Sequence, residues 1–176
     1  MTETVIETER LRLRPFRADD ADELARWLAD GEFARHLGGP WPRSRVDEML
    51  GRIARHHAEH GFGALAVEDK ATGDLVGRSG LAFHSAWPSD PELGWWIAPE
   101  RQGQGLATEA GARCLDDGFG RLGMERIVSI ALEDNLASRR VMAKLGFRLH
   151  ERVASEWGEL WVHAQDRGTG TRGKSR

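Results

Sequence analysis

A glycine-rich turn in the second half of the chain has the residue types and spacing needed to bind an anion. It lies between a predicted strand and a predicted long helix, and it consists of Gln102, Gly103, Gln104, Gly105, Leu106 and Ala107. Glycines let backbone N–H groups approach a ligand closely, and a helix N-terminus adds unpaired donors and a partial positive charge. The turn predicts a site for phosphate or pyrophosphate, although similar turns also precede ordinary helices.

Two common nucleotide-binding motifs do not fit this turn. A Walker A loop has four residues between its glycines and ends in Lys followed by Ser or Thr, and this turn has neither feature. The dinucleotide fingerprint needs a third Gly or Ala where this chain has Thr108. It also belongs to the first βα unit of a parallel sheet, whereas a predicted hairpin precedes the turn here. Both motifs are therefore excluded.

The periodicity of the apolar residues indicates which elements position the turn. It predicts the order β-α-α-β-β-β-α-β-α-β-β, one mixed sheet with helices in an α+β fold. Strands are predicted at 10–16, 64–68, 75–83, 92–97, 127–132, 147–153 and 160–164. Helices are predicted at about 20–31, 44–60, 103–122 and 135–145. Residues 1–166 are expected to form a single domain, and 167–176 a flexible basic tail without an apolar anchor.

Length and composition restrict the class of protein. The chain has 176 residues, 40% of them hydrophobic, which is enough for a compact core and excludes wholesale disorder. With 25 Lys and Arg against 28 Asp and Glu, nucleic acid is not expected as the main partner. No segment is long and apolar enough for a membrane span, and the acidic N-terminus does not resemble a signal peptide. Because Cys114 is the single cysteine, we expect no internal disulfide and a cytoplasmic location.

The glycine turn and its surroundings resemble the GCN5-related N-acetyltransferases, the GNAT superfamily. Residues 102–107 have the form Q/R-x-x-G-x-G/A, which in that family is the acetyl-CoA pyrophosphate loop. Residues 94–100 and 107–110 are similar to the Rim-like branch, which includes ribosomal-protein N-terminal acetyltransferases. The resemblance covers about residues 5–165, with further matching motifs at 8–14, 134–138 and 142–147.

The resemblance implies a particular sheet and a particular coenzyme. The family has a mixed, mostly antiparallel, seven-stranded sheet flanked by about four helices in a three-layer α/β arrangement. Its fourth and fifth strands, here 92–97 and 127–132, splay apart and hold the pantetheine arm of acetyl-CoA between them. Acetyl-CoA is then the cosubstrate, and no metal is implied. Ile97 and Asn135 are implied to contact it, together with all six residues of the glycine turn.

Acetyl transfer to an amine requires a group or a water relay that removes a proton from the amine. In a strand at 92–97, Glu92 shares one face with Gly94 and Trp96. A carboxylate beside a tryptophan in a cleft can have its pKa raised by desolvation, as a general base requires. Glu92 is therefore the first candidate, and the alternative is a solvated position at the end of the strand. The resemblance offers Glu156 as a second candidate.

A proton donor for the departing thiolate must also be found. The chain contains no tyrosine, which excludes the tyrosine that serves many relatives as general acid. Ser138 occupies the last position of the Asn-x-x-Ser motif that starts at Asn135, which in Rim-like relatives lies near the coenzyme sulfur. Its hydroxyl can donate or relay a proton, and the alternative is a serine that only occupies a first helical turn. A backbone N–H near Ile97 is expected to meet the carbonyl oxygen.

Three other residues have side chains that metals or thiol chemistry use. His56 and His60 are four residues apart on a predicted helix, a spacing that suits two metal ligands. No third ligand is evident, so a metal site is not expected. Cys114 is expected to be a small core residue, because direct transfer requires no acyl-enzyme.

The acceptor site is implied only through the family. There the first two helices and their loop cover it, which assigns Phe33, Trp41 and Trp96 to the acceptor, with His36 and Leu37 beside them. The same aromatic residues suit a core equally well. Relatives acetylate protein N-termini, antibiotics, amino acids or polyamines, and the sequence does not choose among these acceptors.

The function implied is therefore an acetyl-CoA-dependent N-acetyltransferase that acts on a primary amine of a protein N-terminus or a small molecule. The alternative is a domain that binds acetyl-CoA without turnover, as a sensor or an interaction module. The presence of both Glu92 and Ser138 favours the enzyme. The branch also suggests a homodimer, for which no residue gives direct evidence.

Overall fold

A computed structural model describes residues 5–84 and 87–168, so residues 1–4 and most of the predicted tail, 169–176, lie outside it. The strands are β1 (Ile6–Glu7), β2 (Leu11–Arg14), β3 (Ala64–Asp69), β4 (Leu75–His84), β5 (Trp87–Ile97), β6 (Arg126–Leu132), β7 (Arg148–Ser155) and β8 (Gly158–Asp166). The α-helices are α1 (Asp20–Leu28), α2 (Gly31–Ala34), α3 (Arg43–His60), α4 (Leu106–Phe119) and α5 (Leu136–Lys144). Short 3₁₀ helices span Arg35–Leu37 and Pro99–Arg101. None of the helices in the described part is long and apolar enough to cross a membrane.

The described strands form one sheet in the order β1-β2-β3-β4-β5-β6-β8-β7. All neighbours are antiparallel except β5 and β6, which run parallel, so the predicted mixed and mostly antiparallel sheet is confirmed. The eighth strand is the short β1, which pairs with β2 at the edge of the sheet.

The predicted splay between two central strands is also present. Strands β5 and β6 pair only where Glu92 lies opposite Val128. One residue further along, the Ser129 hydroxyl donates to the Leu93 carbonyl oxygen at 2.9 Å. Beyond that bond the two strands diverge, since no later residues of β5 and β6 pair in the described sheet. A gap therefore opens toward the end of β5.

One predicted helix start was wrong, and one short helix was not predicted. Helix α4 begins at Leu106 rather than at residue 103, because Gly103 and Gly105 have left-handed backbone angles, with φ of 75° and 80°, which an α-helix does not contain. Helix α2 and the 3₁₀ turn after it were not predicted, because four and three residues are too few to show a helical period.

Two hydrophobic clusters separate the faces of β5. The larger cluster joins α4 and α5 to the sheet and includes Leu93, Ile97, Leu106, Cys114 and Met142. The smaller cluster joins α1 and α3 and includes Trp27, Leu28, Val46 and Met49. Trp95 packs against the larger cluster and Trp96 against the smaller one. Alternate residues of β5 therefore face opposite sides, as the period of two predicts.

A buried ion network connects β2, β3 and the start of α1. Arg14 donates to both carboxylate oxygens of Asp20, at 2.8 and 2.9 Å, and to Glu68 at 2.7 Å. The three side chains are only 6% or 7% exposed. The hydrogen bond from Arg14 lowers the pKa of Glu68 despite the opposing effect of burial. Because every charge in this network is paired, it holds β2 and α1 in place without an isolated buried ion.

Candidate active site

The glycine turn presents open backbone at the N-terminus of α4. Gly105 is the N-cap residue, and both it and Gly103 are left-handed. A Cβ atom placed on Gly103 would meet no atom within 4 Å, and one placed on Gly105 would come no closer than 3.7 Å to the Arg10 guanidinium. The N–H groups of Leu106 and Ala107 have no acceptor within their own helix. The turn therefore has the donors and the free space that a pyrophosphate group needs.

The N-terminal segment holds this turn in place. Glu109, in the first turn of α4, accepts hydrogen bonds from the Thr8 hydroxyl, from the Arg10 backbone N–H and from Arg10 Nε at 2.7 Å. Arg10 Nη1 also donates to the Gln104 carbonyl oxygen at 3.1 Å. Burial raises the pKa of Glu109, but these hydrogen bonds outweigh it and leave that pKa below its ordinary value. The motif at 8–10 thus fastens the glycine turn to the edge of the sheet.

Gln102 braces the strand before the turn. Its side-chain Nε2 donates to the Ile97 carbonyl oxygen at 3.1 Å. Gln102 was predicted to contact the coenzyme, but its side chain fixes the end of β5. Its side-chain donor is engaged within the chain rather than directed at a ligand.

A cavity of about 730 Å³ occupies the gap between the splayed strands. Its walls come from β4, β5, β6 and α5, and the 3₁₀ turn at 35–37 contributes to the rim. The predicted site residues that line it are Glu92, Trp96, Trp41, His36, Leu37, Asn135 and Ser138. The sheet and the helices therefore bring together residues that are up to about one hundred positions apart in the chain.

Glu92 lies inside β5 rather than at its end. It pairs with Ala82 on one side and with Val128 on the other, at the point where the sheet divides. Its side chain is half-buried and lines the cavity. This position excludes the alternative in which Glu92 is a solvated residue at the end of the strand. A carboxylate at the floor of a cleft is well placed to accept a proton from a bound amine.

Asn135 and Ser138 lie together at the start of α5. Asn135 is the N-cap residue, and its side-chain oxygen accepts a hydrogen bond from the Ser138 N–H at 3.2 Å. That cap fixes the first turn of the helix beside the cavity. The amide nitrogen of Asn135 is the donor that this residue can offer a ligand. The Ser138 hydroxyl, half-buried on the cavity wall, can offer a proton.

Backbone donors line the gap on the β5 side. The Leu93 and Ile97 carbonyl oxygens accept from Ser129 and Gln102, so the polar backbone groups of these residues point away from β4. Backbone groups alternate along an antiparallel strand, which places those of Trp95 on the same side. The N–H groups of Trp95 and Ile97 are therefore donors at the open edge of β5. They suit an amide or carbonyl oxygen of a ligand that lies in the gap.

Comparison with known proteins identifies the family. A family model for an acetyltransferase (GNAT) domain matches residues 10–148, which is most of the chain. The chain belongs to the GNAT acetyltransferase family. An uncharacterized N-acetyltransferase of Bacillus subtilis, YoaA, is 29% identical over 146 residues, which cover 82% of each chain.

Solved structures show that the fold is the GNAT fold. An acetyltransferase from Agrobacterium tumefaciens matches with a TM-score of 0.85 at 25% identity, over 94% of this chain and 95% of that one. A spermidine N-acetyltransferase from Vibrio cholerae, solved with CoA and spermine, matches at 0.76 and 20% identity, over 92% and 98%. A ribosomal-protein-S5-alanine acetyltransferase from Vibrio fischeri matches at 0.73 and 19% identity, over 96% and 99%. Rim-like enzymes are thus among the structural neighbours of this GNAT protein.

The three predicted acceptor residues lie in two different environments in this GNAT structure. Trp41 and Trp96 meet edge to face with centroids 5.8 Å apart, and both line the cavity. Phe33 instead packs against the smaller hydrophobic cluster, with its ring 6.4 Å from that of Trp27, and it is not among the lining residues. The prediction that Phe33 contacts the acceptor therefore finds no support in the cavity.

The remaining candidates lie outside the cavity of this GNAT protein. Glu156 is exposed in the turn between β7 and β8 and does not line the cavity. Both ring nitrogens of His56 are engaged by the backbone, with Phe62 O at 2.8 Å and Phe83 N at 3.0 Å. Within residues 5–84 and 87–168, no group of three or more His, Cys, Asp or Glu side chains is arranged to hold a metal ion. Burial raises the pKa of Cys114 to about 12, which disfavours a thiolate.

Sequence reasoning missed several residues of the cavity wall, and two of them offer hydrogen-bond donors to the site. Trp95 contributes the backbone N–H described above, and Arg78 of β4 contributes a guanidinium. The signal for Arg78 was available, because it is the one charged residue between Leu75 and Leu81 in a predicted strand. The sequence did not indicate that Arg78 contacts the site, because this contact depends on the register of β4 against β5.

Proposed function

We propose that this GNAT protein is an acetyl-CoA-dependent N-acetyltransferase that transfers the acetyl group directly to a primary amine. The observation that carries the proposal is the cavity between β5 and β6, which has Glu92 on one wall and Ser138 on the other. The acceptor is a protein N-terminus or a small molecule. The neighbours whose names state an acceptor include a ribosomal-protein-S5-alanine enzyme and a spermidine enzyme, which represent these two classes.

The chain has suitable groups for two parts of acetyl-CoA, the pyrophosphate and the pantetheine arm. The left-handed turn at Gly103 and Gly105 leaves room for the pyrophosphate beside the N-terminus of α4. The open edge of β5 and the Asn135 amide nitrogen suit the amides of the pantetheine arm. Acetyl-CoA supplies the thioester carbonyl that the amine attacks.

Two side chains would move the protons of the reaction. Glu92 accepts a proton from the amine, which gives the nitrogen a free electron pair. The N–H group of Trp95, which lines the cavity, stabilises negative charge on the carbonyl oxygen as the C–N bond forms. The C–S bond then breaks as the nitrogen loses its second proton to solvent, and the Ser138 hydroxyl donates a proton to the thiolate sulfur and regains one from solvent. Glu92 releases the first proton to solvent. The net result is an N-acetyl amide and a free thiol.

The test measures thiol release from acetyl-CoA with a panel of amines that includes an N-terminal peptide, an amino acid and a polyamine. Glu92→Gln should lower kcat by about 100-fold or more, because general base catalysis contributes that much. Ser138→Ala should lower kcat while the Kd for acetyl-CoA stays within about twofold, since the hydroxyl acts on the sulfur during bond cleavage. Glu156→Gln is the matched control, because it changes an exposed carboxylate outside the cavity.

The outcomes separate enzyme from binding module. Tight binding of acetyl-CoA without thiol release from any amine would contradict the enzyme and support the binding module. Robust turnover with equal rates in wild type, Glu92→Gln and Ser138→Ala would refute the two roles assigned here. A large loss in Glu156→Gln alone would transfer the role of base to that residue.

A further inference from the structure

A guanidinium lies on the wall of the cavity beside the proposed base. Arg78 is opposite Trp96 in the pairing of β4 with β5. Its Cζ atom is 4.8 Å from the centroid of the Trp96 ring, so the guanidinium stacks on the indole. Both residues line the cavity. Stacking on the ring holds the guanidinium in a defined orientation without using its hydrogen-bond donors.

The guanidinium has unused capacity for an anion. Arg78 Nε is buried, and it has no hydrogen-bond partner among the residues that the structure describes. Burial lowers the pKa of Arg78, and this effect exceeds the opposing attraction of the Glu92 charge. An arginine side chain nevertheless remains charged at neutral pH. A desolvated cation on a cavity wall is stabilised when a carboxylate or phosphate enters that cavity.

Arg78 and Glu92 approach each other beside Gly94, which has no side chain to separate them. A Cβ atom placed on Gly94 would lie 3.4 Å from Arg78 Nη1 and 4.0 Å from Glu92 Oε1. The two side chains are therefore close enough together for one small molecule in the cavity to contact a positive and a negative group. In an α-amino acid the amine and the carboxylate are attached to the same carbon atom. That arrangement suits a site in which Arg78 meets the carboxylate and Glu92 meets the amine.

Two further ionisable residues line the cavity at its rim and have acidic neighbours of their own. Among the residues that the structure describes, they are Arg35 and His36. Arg35 lies 3.7 Å from a carboxylate oxygen of Glu32, and His36 lies 3.3 Å from one of Asp134. Of the described residues, Arg78 and Glu92 are thus the ionisable ones deeper in the cavity. A polyamine would place a second positive charge near Arg78, and a protein N-terminus would present a neutral amide there.

We propose that Arg78 determines the acceptor by binding a carboxylate attached next to the reacting amine, so that the acceptor is a free amino acid or a close analogue. The identity of the reacting amine rests on the function proposed above. Glu92 binds and deprotonates the amine, and Arg78 donates hydrogen bonds to the carboxylate. The amine is thereby held in the cavity with its nitrogen directed to the carboxylate of Glu92.

The test compares amino acids with their carboxamides, which differ in charge but little in shape. Glycine, alanine, leucine, methionine and phenylalanine are each assayed with the corresponding amide, and spermidine is included. One readout is kcat/KM with acetyl-CoA. The other is binding to the protein without acetyl-CoA, followed by tryptophan fluorescence, because Trp41 and Trp96 line the cavity. The second readout does not depend on turnover, so it tests this proposal even if the proposed function fails.

Wild type should prefer the carboxylate in at least one pair by about 10- to 100-fold, which is the usual effect of one charge-assisted hydrogen bond. Arg78→Gln should abolish that preference, and Arg78→Lys should keep part of it. Arg45→Gln is the matched control and should leave the preference unchanged. Arg45 also stacks on a tryptophan, 4.0 Å from the Trp41 centroid, but it does not line the cavity.

Three results would overturn the proposal. The first is equal binding of the acid and the amide in every pair. The second is a preference that survives in Arg78→Gln, which would assign the carboxylate to another residue. The third is an equal loss for acid and amide in Arg78→Gln, which would show that Arg78 only positions Glu92. If Arg78→Gln does not fold, the preference of wild type and its reduction in Arg78→Lys decide the question.

Discussion

Gly103 allows the pyrophosphate site to be tested with a single methyl group. Its φ is 75°, and a Cβ atom on it would meet no atom of the chain within 4 Å. Gly61, which ends α3, has the same properties, with φ of 74° and no atom within 4 Å. Gly103→Ala and Gly61→Ala therefore introduce the same strain, one at the proposed coenzyme site and one outside it.

The two variants should lose similar stability but differ in binding. Left-handed alanine costs about 1–2 kcal/mol, and the reduced entropy of the unfolded chain offsets about 0.4–1 kcal/mol of this cost. Each variant should therefore lose about 1 kcal/mol in free energy of unfolding. The strain of Gly103→Ala exists with and without ligand, so it largely cancels from the binding equilibrium. If the new methyl group removes one charge-assisted hydrogen bond, worth about 1.5–3 kcal/mol, the Kd for acetyl-CoA rises about 10- to 150-fold.

Equilibrium unfolding in urea and calorimetric titration with acetyl-CoA measure the two quantities. Gly61→Ala should have the wild-type Kd for acetyl-CoA, although its free energy of unfolding should be as low as that of Gly103→Ala. Equal acetyl-CoA affinity in the two variants would refute the placement of the pyrophosphate over this turn. A much larger loss of stability in Gly103→Ala would show that the free space beside it is not available to a side chain.

Two further predictions concern stability. Burial lowers the pKa of His56 from 6.5, so neutral His56 stabilises the fold above that pH, and this stability is lost as the pH falls through the lower folded pKa. The slope is at most about 1.4 kcal/mol per pH unit for one proton. Unfolding in urea at several pH values should show a smaller slope in His56→Gln than in wild type and in the exposed control His150→Gln, because His163, whose pKa burial also lowers, still contributes. Asp20→Ala breaks the buried ion network and should cost about 3 kcal/mol, whereas Asp47→Ala, at an exposed ion pair, should cost less than about 0.5 kcal/mol. Equal losses in the two aspartate variants would contradict the account of that network.

Local patterns in the sequence were sufficient for much of the fold. Alternating apolar residues place the strands, and the hairpin between β3 and β4 is confirmed as antiparallel. The separation of Trp95 and Trp96 to opposite faces of β5 also follows from the period of two. These features depend on residues that are close in the chain, so periodicity is enough to predict them.

The glycine turn was predicted for the same reason, but its exact geometry was not. Helix α4 starts at Leu106 because both glycines before it are left-handed. A sequence permits such angles at glycine without requiring them. The bonds from Thr8 and Arg10 to Glu109 join positions about one hundred residues apart, and no local pattern reports them.

The acceptor side of the site was decided by tertiary structure. Arg78 reaches the cavity because β4 pairs with β5 in the register that sets it opposite Trp96. A shift of that register by one residue would turn Arg78 to the other face of the sheet. Phe33 is excluded from the cavity because it packs beside Trp27 instead. The sequence by itself determined the order of the longer elements and the position of the glycine turn, since both are local. Which charges meet at Gly94 was decided by the register of β4 against β5, because that register sets which side chains share a face.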